Sequence, residues 1–307
     1  MRIAFSVGLA LCLLTVVSSA QLRSLRVEVL TLEKSRSWSR PGWSPDGKTI
    51  YYTTSDLDGI WAYSTVGRKA VQITSDRGSG YGFSVSADGG RIAYRRTLSG
   101  VLPGERLEEL VVRNLTDGTS SILASEKSVS LPTFVLSDAV YSVGARLHGL
   151  TAGVRRAGSV SVLGIEETKI ALLRDSVKTL IDPLGNGSYL WPSLSPDGTK
   201  LAACEMDRGA FVADPDGRHA VRIGRRDAPS WTHDGRWLIY MADEVDSSAI
   251  RSSEIAYVSP DGNVSGVLTH GSRSINMYPR CSPVDDEIVC CTPGGEILVI
   301  TYGEASR

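Results

Sequence analysis

A turn aspartate recurs six times along this chain ahead of a short apolar run, followed by glycine in four copies and led by a proline in five. The first copy passes from Pro41 through Trp43, Ser44, Pro45, Asp46 and Gly47 to Ile50, Tyr51 and Tyr52. The second passes from Phe83 through Asp88 and Gly89 to Ile92, Ala93 and Tyr94. A third, eroded copy leads from Pro132 through Asp138 to Val140 and Tyr141. The fourth holds Pro192, Ser195, Pro196, Asp197 and Gly198 before Leu201. The fifth holds Pro229, Trp231, Asp234 and Gly235 before Leu238, and the sixth Pro279, Pro283 and Asp285 before Ile288. Glycine tolerates the positive φ of a tight hairpin turn, and a proline just before the turn fixes φ there. Each copy therefore reads as a two-strand hairpin.

A second hairpin follows most copies, with Asp117-Gly118, Asp216-Gly217 and Asp261-Gly262 at three of its turns. Each repeat thus supplies four strands, the content of one propeller blade. The turn aspartates are spaced from 37 residues (Asp197 to Asp234) to 59 (Asp138 to Asp197). A blade of this kind needs roughly 40–50 residues. The fold class is all-β, a six-bladed β-propeller of four-stranded antiparallel blades. The sixth copy ends after its third strand, at residues 296–300. Residues 26–31 resemble the fourth strands that end at Ile73-Thr74 and Leu268-Thr269. An N-terminal strand is therefore expected to close the ring and hide an otherwise open edge.

Residues 1–20 read as an export signal that is cleaved off. Arg2 precedes an apolar stretch at residues 3–17, and Ser18-Ser19-Ala20 places small residues at a cleavage site. The apolar stretch is short for a membrane span, so no transmembrane segment is expected after cleavage. Residues 21–307 then form one propeller domain, periplasmic or secreted. The whole chain carries 33 Lys and Arg against 34 Asp and Glu. With no basic surplus, nucleic acid is not an expected partner. Cys12 leaves with the signal, while Cys204, Cys281, Cys290 and Cys291 remain. Their spacing matches no zinc pattern, and no metal or other cofactor is expected. Cys281 and Cys290 fall on one hairpin, placed diagonally, so a disulfide between them stays open.

The segments at residues 43–48 and 194–200, with the Asp-Pro-Asp-Gly turn at 214–217, resemble the propeller repeat of the TolB family. The resemblance covers residues 26–302 and implies a six-bladed propeller in the periplasm or outside the cell. TolB carries an α/β domain ahead of its propeller, and only about twenty residues separate the signal from Trp43 here, too few for one. The resemblance therefore implies a stand-alone propeller. Prolyl-oligopeptidase-type peptidases share similar repeats, but the G-x-S-x-G elbow of their hydrolase domain is missing from this chain.

The repeated aspartates invite a metal or catalytic reading. Turn chemistry accounts for their spacing, with carboxylates bonding nearby backbone N–H groups. The histidines His148, His219, His233 and His270 form no ligand cluster in the sequence. Trp43 and Trp231 hold the same repeat position, which favours packing between blades. Trp191 and Tyr278 each precede a repeat proline at the entrance of an innermost strand, where ligands meet a propeller channel. Arg280 follows on the same strand as Tyr278. Residues 144–168 are the least repeat-like and hold Arg146, His148, Arg155 and Arg156, a composition suited to a recognition loop.

The binding candidates are therefore Trp191, Tyr278, Arg280, Arg146, His148, Arg155 and Arg156, with no catalytic residue singled out. The expected function is non-enzymatic binding of a protein or cell-envelope component through one face of the ring. The alternative is a carbohydrate-active enzyme, a polysaccharide lyase or glycoside hydrolase, with acids at the channel mouth.

Overall fold

The computed structural model describes residues 21–98, 106–135, 139–142, 160–175, 177–246, 249–269 and 275–305. Residues 1–20, expected from sequence to be an export signal, together with Asp138 and the candidates Arg146, His148, Arg155 and Arg156, lie outside the described residues. The chain is a six-bladed all-β propeller. Five blades are four-stranded antiparallel sheets. The first blade runs outward through Trp38–Trp43, Thr49–Thr54, Ile60–Ser64 and Lys69–Thr74. The innermost strands of the fourth, fifth and sixth blades are Tyr189–Leu194, Asp227–Trp231 and Met277–Cys281.

The third blade departs from the four-stranded pattern. Its described residues divide into a two-stranded sheet (Pro132–Val135 with Ala139–Ser142) and a three-stranded sheet (Val160–Glu166, Lys169–Arg174, Val177–Ile181). The two sheets pack face to face, Val135, Ala139 and Tyr141 against Leu163, Ala171 and Leu173. Among the described residues there are thus seven sheets, and each of seven apolar clusters fills the space between two neighbours. Full burial of each side chain such as Ile50 or Leu201 contributes about 1.5–3 kcal/mol.

Closure follows the expected route. Leu22–Val29 pairs antiparallel with Ile297–Glu304 as the outermost strand of the sixth blade, from Leu22 opposite Glu304 to Val29 opposite Leu298, with one register shift between Ser24 and Arg26. The strand starts earlier than residue 26 and ends at Val29, with the Leu30 N–H still bonded to the Ile297 carbonyl at 2.9 Å.

The Asp-Gly turns have one repeated geometry. In the first blade Ser44 Oγ donates to Asp46 Oδ1 at 2.6 Å, and the same carboxylate oxygen accepts the Lys48 N–H. Ser44 Oγ also accepts the Thr49 N–H at 2.9 Å, while Gly47 takes φ 69°. Ser86 with Asp88, Ser195 with Asp197 and Thr232 with Asp234 repeat the arrangement. These aspartates are committed to shaping turns. The turns gather on one face of the ring, where Thr65, in the outer hairpin, bonds the Lys48 carbonyl. The connections between blades lie on the opposite face.

Candidate functional site

The site is built on an irregularity of the innermost strands. In blades one, four, five and six the pairing of the first two strands shifts register, between Ser39 and Gly42, Leu190 and Ser193, Asp227 and Ser230, and Met277 and Arg280. Each bulge contains a proline preceded by a residue at positive φ: Arg40 (49°), Trp191 (50°), Ala228 (50°) and Tyr278 (55°). Proline has no N–H to give the ladder, so a bulge is where a strand accommodates it. A non-glycine residue held left-handed costs about 1–2 kcal/mol. Four neighbouring blades bear that cost at the same place, and side chains are re-aimed there.

Two cavities meet at this level. On the turn face a cavity of about 410 Å³ is lined by the fourth, fifth and sixth blades. Trp191 and Trp231 wall it, with Pro192, Pro196, Pro229 and Pro283, and Arg280 reaches it from the sixth blade. On the opposite face a cavity of about 230 Å³ is lined by Trp191, Glu205, Arg225 and Asp227 among others. Trp191 borders both.

Arg280 is tied by its backbone. Its carbonyl accepts the Trp43 Nε1–H at 2.9 Å from the first blade, and the next N–H, of Cys281, goes to Ser230 Oγ at 3.0 Å on the fifth. Its guanidinium makes one long hydrogen bond of 3.5 Å, to the Pro279 carbonyl, and no ion pair among the described residues. Burial first, and the charge of Arg40 after it, favour the neutral form and lower the Arg280 pKa from its ordinary value. Arg40 lies over Tyr81 at 5.5 Å and Tyr278 at 5.4 Å. Such stacking fixes a planar guanidinium in one orientation.

A carboxylate of different character borders the smaller cavity. Desolvation, then the neighbouring Asp243, push the Asp227 pKa up. Asp243 accepts the hydroxyl of Ser253. Buried Glu205, by contrast, is held by Arg222 at 2.7 Å and Arg208 at 3.5 Å.

The structure brings Trp191 and Arg280 together at the larger cavity, and places Tyr278 beside Arg40. Sequence reading missed Arg40, Trp231 and Asp227 as site residues. Arg40 precedes Pro41 as Trp191 precedes Pro192, so that shared position was the available signal. Trp231 keeps its expected packing role too, its Nε1 donating to the Ser193 carbonyl at 3.3 Å, yet its ring also walls the cavity. His233 is a turn residue bonded to Asp286 at 3.0 Å, and His219 pairs with Asp214 at 2.6 Å. The four described cysteines are all free thiols. Cys281 lies opposite Ile288, which makes Cys290 its diagonal neighbour.

No protein-family model matches the chain, and no curated protein matches it in sequence. Solved structures share its fold. The β-propeller domain of Cps50 (Swd1) from Myceliophteria thermophila is similar at TM-score 0.59 and 10% identity, over 89% of this chain and 99% of that one. TolB from Acinetobacter baumannii is similar at TM-score 0.53 and 16% identity, over 78% of this chain and 56% of that one. The chain thus spans little more than half the length of that TolB. An oligogalacturonate lyase from Vibrio parahaemolyticus gives TM-score 0.48 and 12% identity, over 85% of this chain and 76% of that one. At these identities the likeness to the Cps50 propeller domain and to TolB shows the propeller fold, in keeping with the TolB-like repeat.

Proposed function

We propose that the protein is an exported, non-enzymatic binding propeller that holds a protein or cell-envelope component at the turn face of the ring. The observation that carries this reading is the 410 Å³ cavity shared by three successive blades, with Trp191 and Trp231 as walls and at its edge an arginine with no ion-pair partner among the described residues. Rigid aromatic surface beside a desolvated arginine is the composition of a binding hot spot. Innermost strands hold these groups in place before any ligand arrives, which lowers the entropic cost of binding. Export is supported by the apolar run at residues 3–17 and the small residues that follow it. The test is affinity capture from envelope extract on the immobilised protein, run beside an assay of acidic sugar polymers. Retained material without polymer turnover supports binding, and turnover without retained material rejects it.

One observation favours the alternative, a carbohydrate-active enzyme. Asp227 borders the smaller cavity, and its raised pKa favours the protonated form that a general acid requires. Under that reading an Asp227→Asn variant loses turnover of a sugar polymer that the unaltered protein cleaves.

A further inference from the structure

We infer that the turn-face cavity accepts a ligand group joining a flat apolar portion to a carboxylate or phosphate, with the oxyanion docked on Arg280 and the apolar portion between Trp191 and Trp231. This rests on the binding reading above and names the chemistry it would recognise.

Three features of the cavity lead there. The first is charge. Arg280 has no carboxylate partner among the described residues, and neither has Arg40 on the adjoining innermost strand, whose guanidinium bonds the Tyr81 carbonyl and lies over Tyr278. Several other arginines that sit beside the blades are ion-paired: Arg95 with Glu108, Arg96 with Glu109, Arg222 with Glu205. A guanidinium drawn out of bulk water without a counterion is costly, and an anion that enters relieves that cost. The planar fork of arginine suits the paired oxygens of a carboxylate or phosphate.

The second feature is shape. Two tryptophans and four prolines line the cavity, so most of its wall is flat and apolar. A small hydrated anion would leave that wall facing water, whereas an aromatic or similarly flat group covers it. The third feature is a polar group left over. Ser193 lines the same wall, and its Oγ is buried without a hydrogen-bond partner among the described residues. Buried hydroxyls are nearly always satisfied, and an incoming oxyanion supplies an acceptor.

The test titrates the full protein with benzoate and phenyl phosphate, read by calorimetry and by tryptophan fluorescence. Neutral benzamide, and acetate and inorganic phosphate, which lack a flat aromatic portion, serve as comparison probes. The inference predicts that at least one aryl anion binds roughly ten-fold or more tighter than benzamide, as a charge-assisted hydrogen bond would provide. Which aryl anion wins distinguishes a carboxylate ligand from a phosphate ligand. Arg280→Met should abolish that preference. This variant is expected to melt no lower than the unaltered protein, because it removes a desolvated charge next to Arg40. Arg225→Met, at the cavity on the opposite face, should leave it intact. Equal affinity for benzamide and the aryl anions, or a preference that survives Arg280→Met, overturns the inference. Failure of the binding reading itself shows differently: immobilised protein retains nothing from envelope extract, whatever the aryl probes do.

Discussion

The Arg40 guanidinium lies 5.4 Å from the centre of the Tyr278 ring, and the two residues hold the same left-handed backbone position, each just before a proline. One sits on the innermost strand of the first blade and the other on that of the sixth. The pair shows how a repeat unit becomes a site. The same bulge, made in neighbouring blades, aims different side chains at a common axis, and the residue types decide what the axis carries. At Ala228 the position carries a methyl, at Trp191 an indole shared by two cavities.

Ring closure by the N-terminal strand should dominate stability. Leu22, Leu298, Ile300 and Tyr302 belong to one cluster with residues of the fifth blade, and Leu30 belongs to the cluster beneath the first. A chain that begins at residue 37 loses both contributions and exposes the edge of Ile297–Glu304. Thermal melting should show a fall of more than about 10 °C, since each 1 kcal/mol shifts the midpoint of a domain this size by roughly 2–4 °C. An unchanged midpoint would contradict closure.

Acid should weaken the fold through its turns. Asp46, Asp88, Asp197 and Asp261 are held below the ordinary aspartate value, first by the serine hydroxyl two residues earlier. A carboxyl with a depressed folded pKa adds stability above its unfolded value of about 3.9, and that stability is lost as pH falls through the folded value. Melting points should stay level from pH 7 to pH 5 and drop below pH 4. Ser195→Ala removes one such hydroxyl and should lower the melting point at pH 7, with a shallower acid decline. A Ser195→Ala melting profile that overlays the original from pH 7 to pH 3 would refute this account of the turns.

The four described thiols should be unpaired and slow to react. Cys290 and Cys291 are sequence neighbours on one strand, so their side chains enter different clusters on its two faces. Burial pushes the Cys204 and Cys281 thiols up to about 12, which suppresses the reactive thiolate. A thiol reagent should count four groups per chain lacking residues 1–20 after denaturation without reductant, and label none quickly in the native protein. A denatured count of two would reveal a disulfide.

The turn repeat made the propeller legible because an Asp-Gly hairpin imposes a local geometry that does not depend on distant residues. Ser44 with Asp46 and Thr232 with Asp234 form the same closed hydrogen-bond pattern wherever they occur. The third blade was harder to read because its identity rests on packing between sheets, Tyr141 against Leu173, which no short-range signal encodes. Trp191 and Arg280 were found from their place around a repeat proline. Asp227 was not, since its raised pKa comes from burial and from Asp243, sixteen residues away on the next strand.

Asp227 offers a pH test of opposite sign to the turns. Its folded pKa is raised, so its share of stability is complete below the unfolded value of about 3.9 and is lost as pH rises through the folded one. Asp227→Asn should therefore raise the melting point at pH 8 and leave it nearly unchanged at pH 3.5. A variant that melts lower than the original at pH 8 would show that the carboxylate is stabilised there.

The most direct test of the binding account compares immobilised protein with an Arg280→Glu variant of it, both shown folded by their melting curves, for material retained from envelope extract. If the turn-face cavity is the binding site, charge reversal beside Trp191 and Trp231 should cut retention by roughly ten-fold or more. Retention of the same components in the same amounts by both proteins would place binding elsewhere and contradict the account.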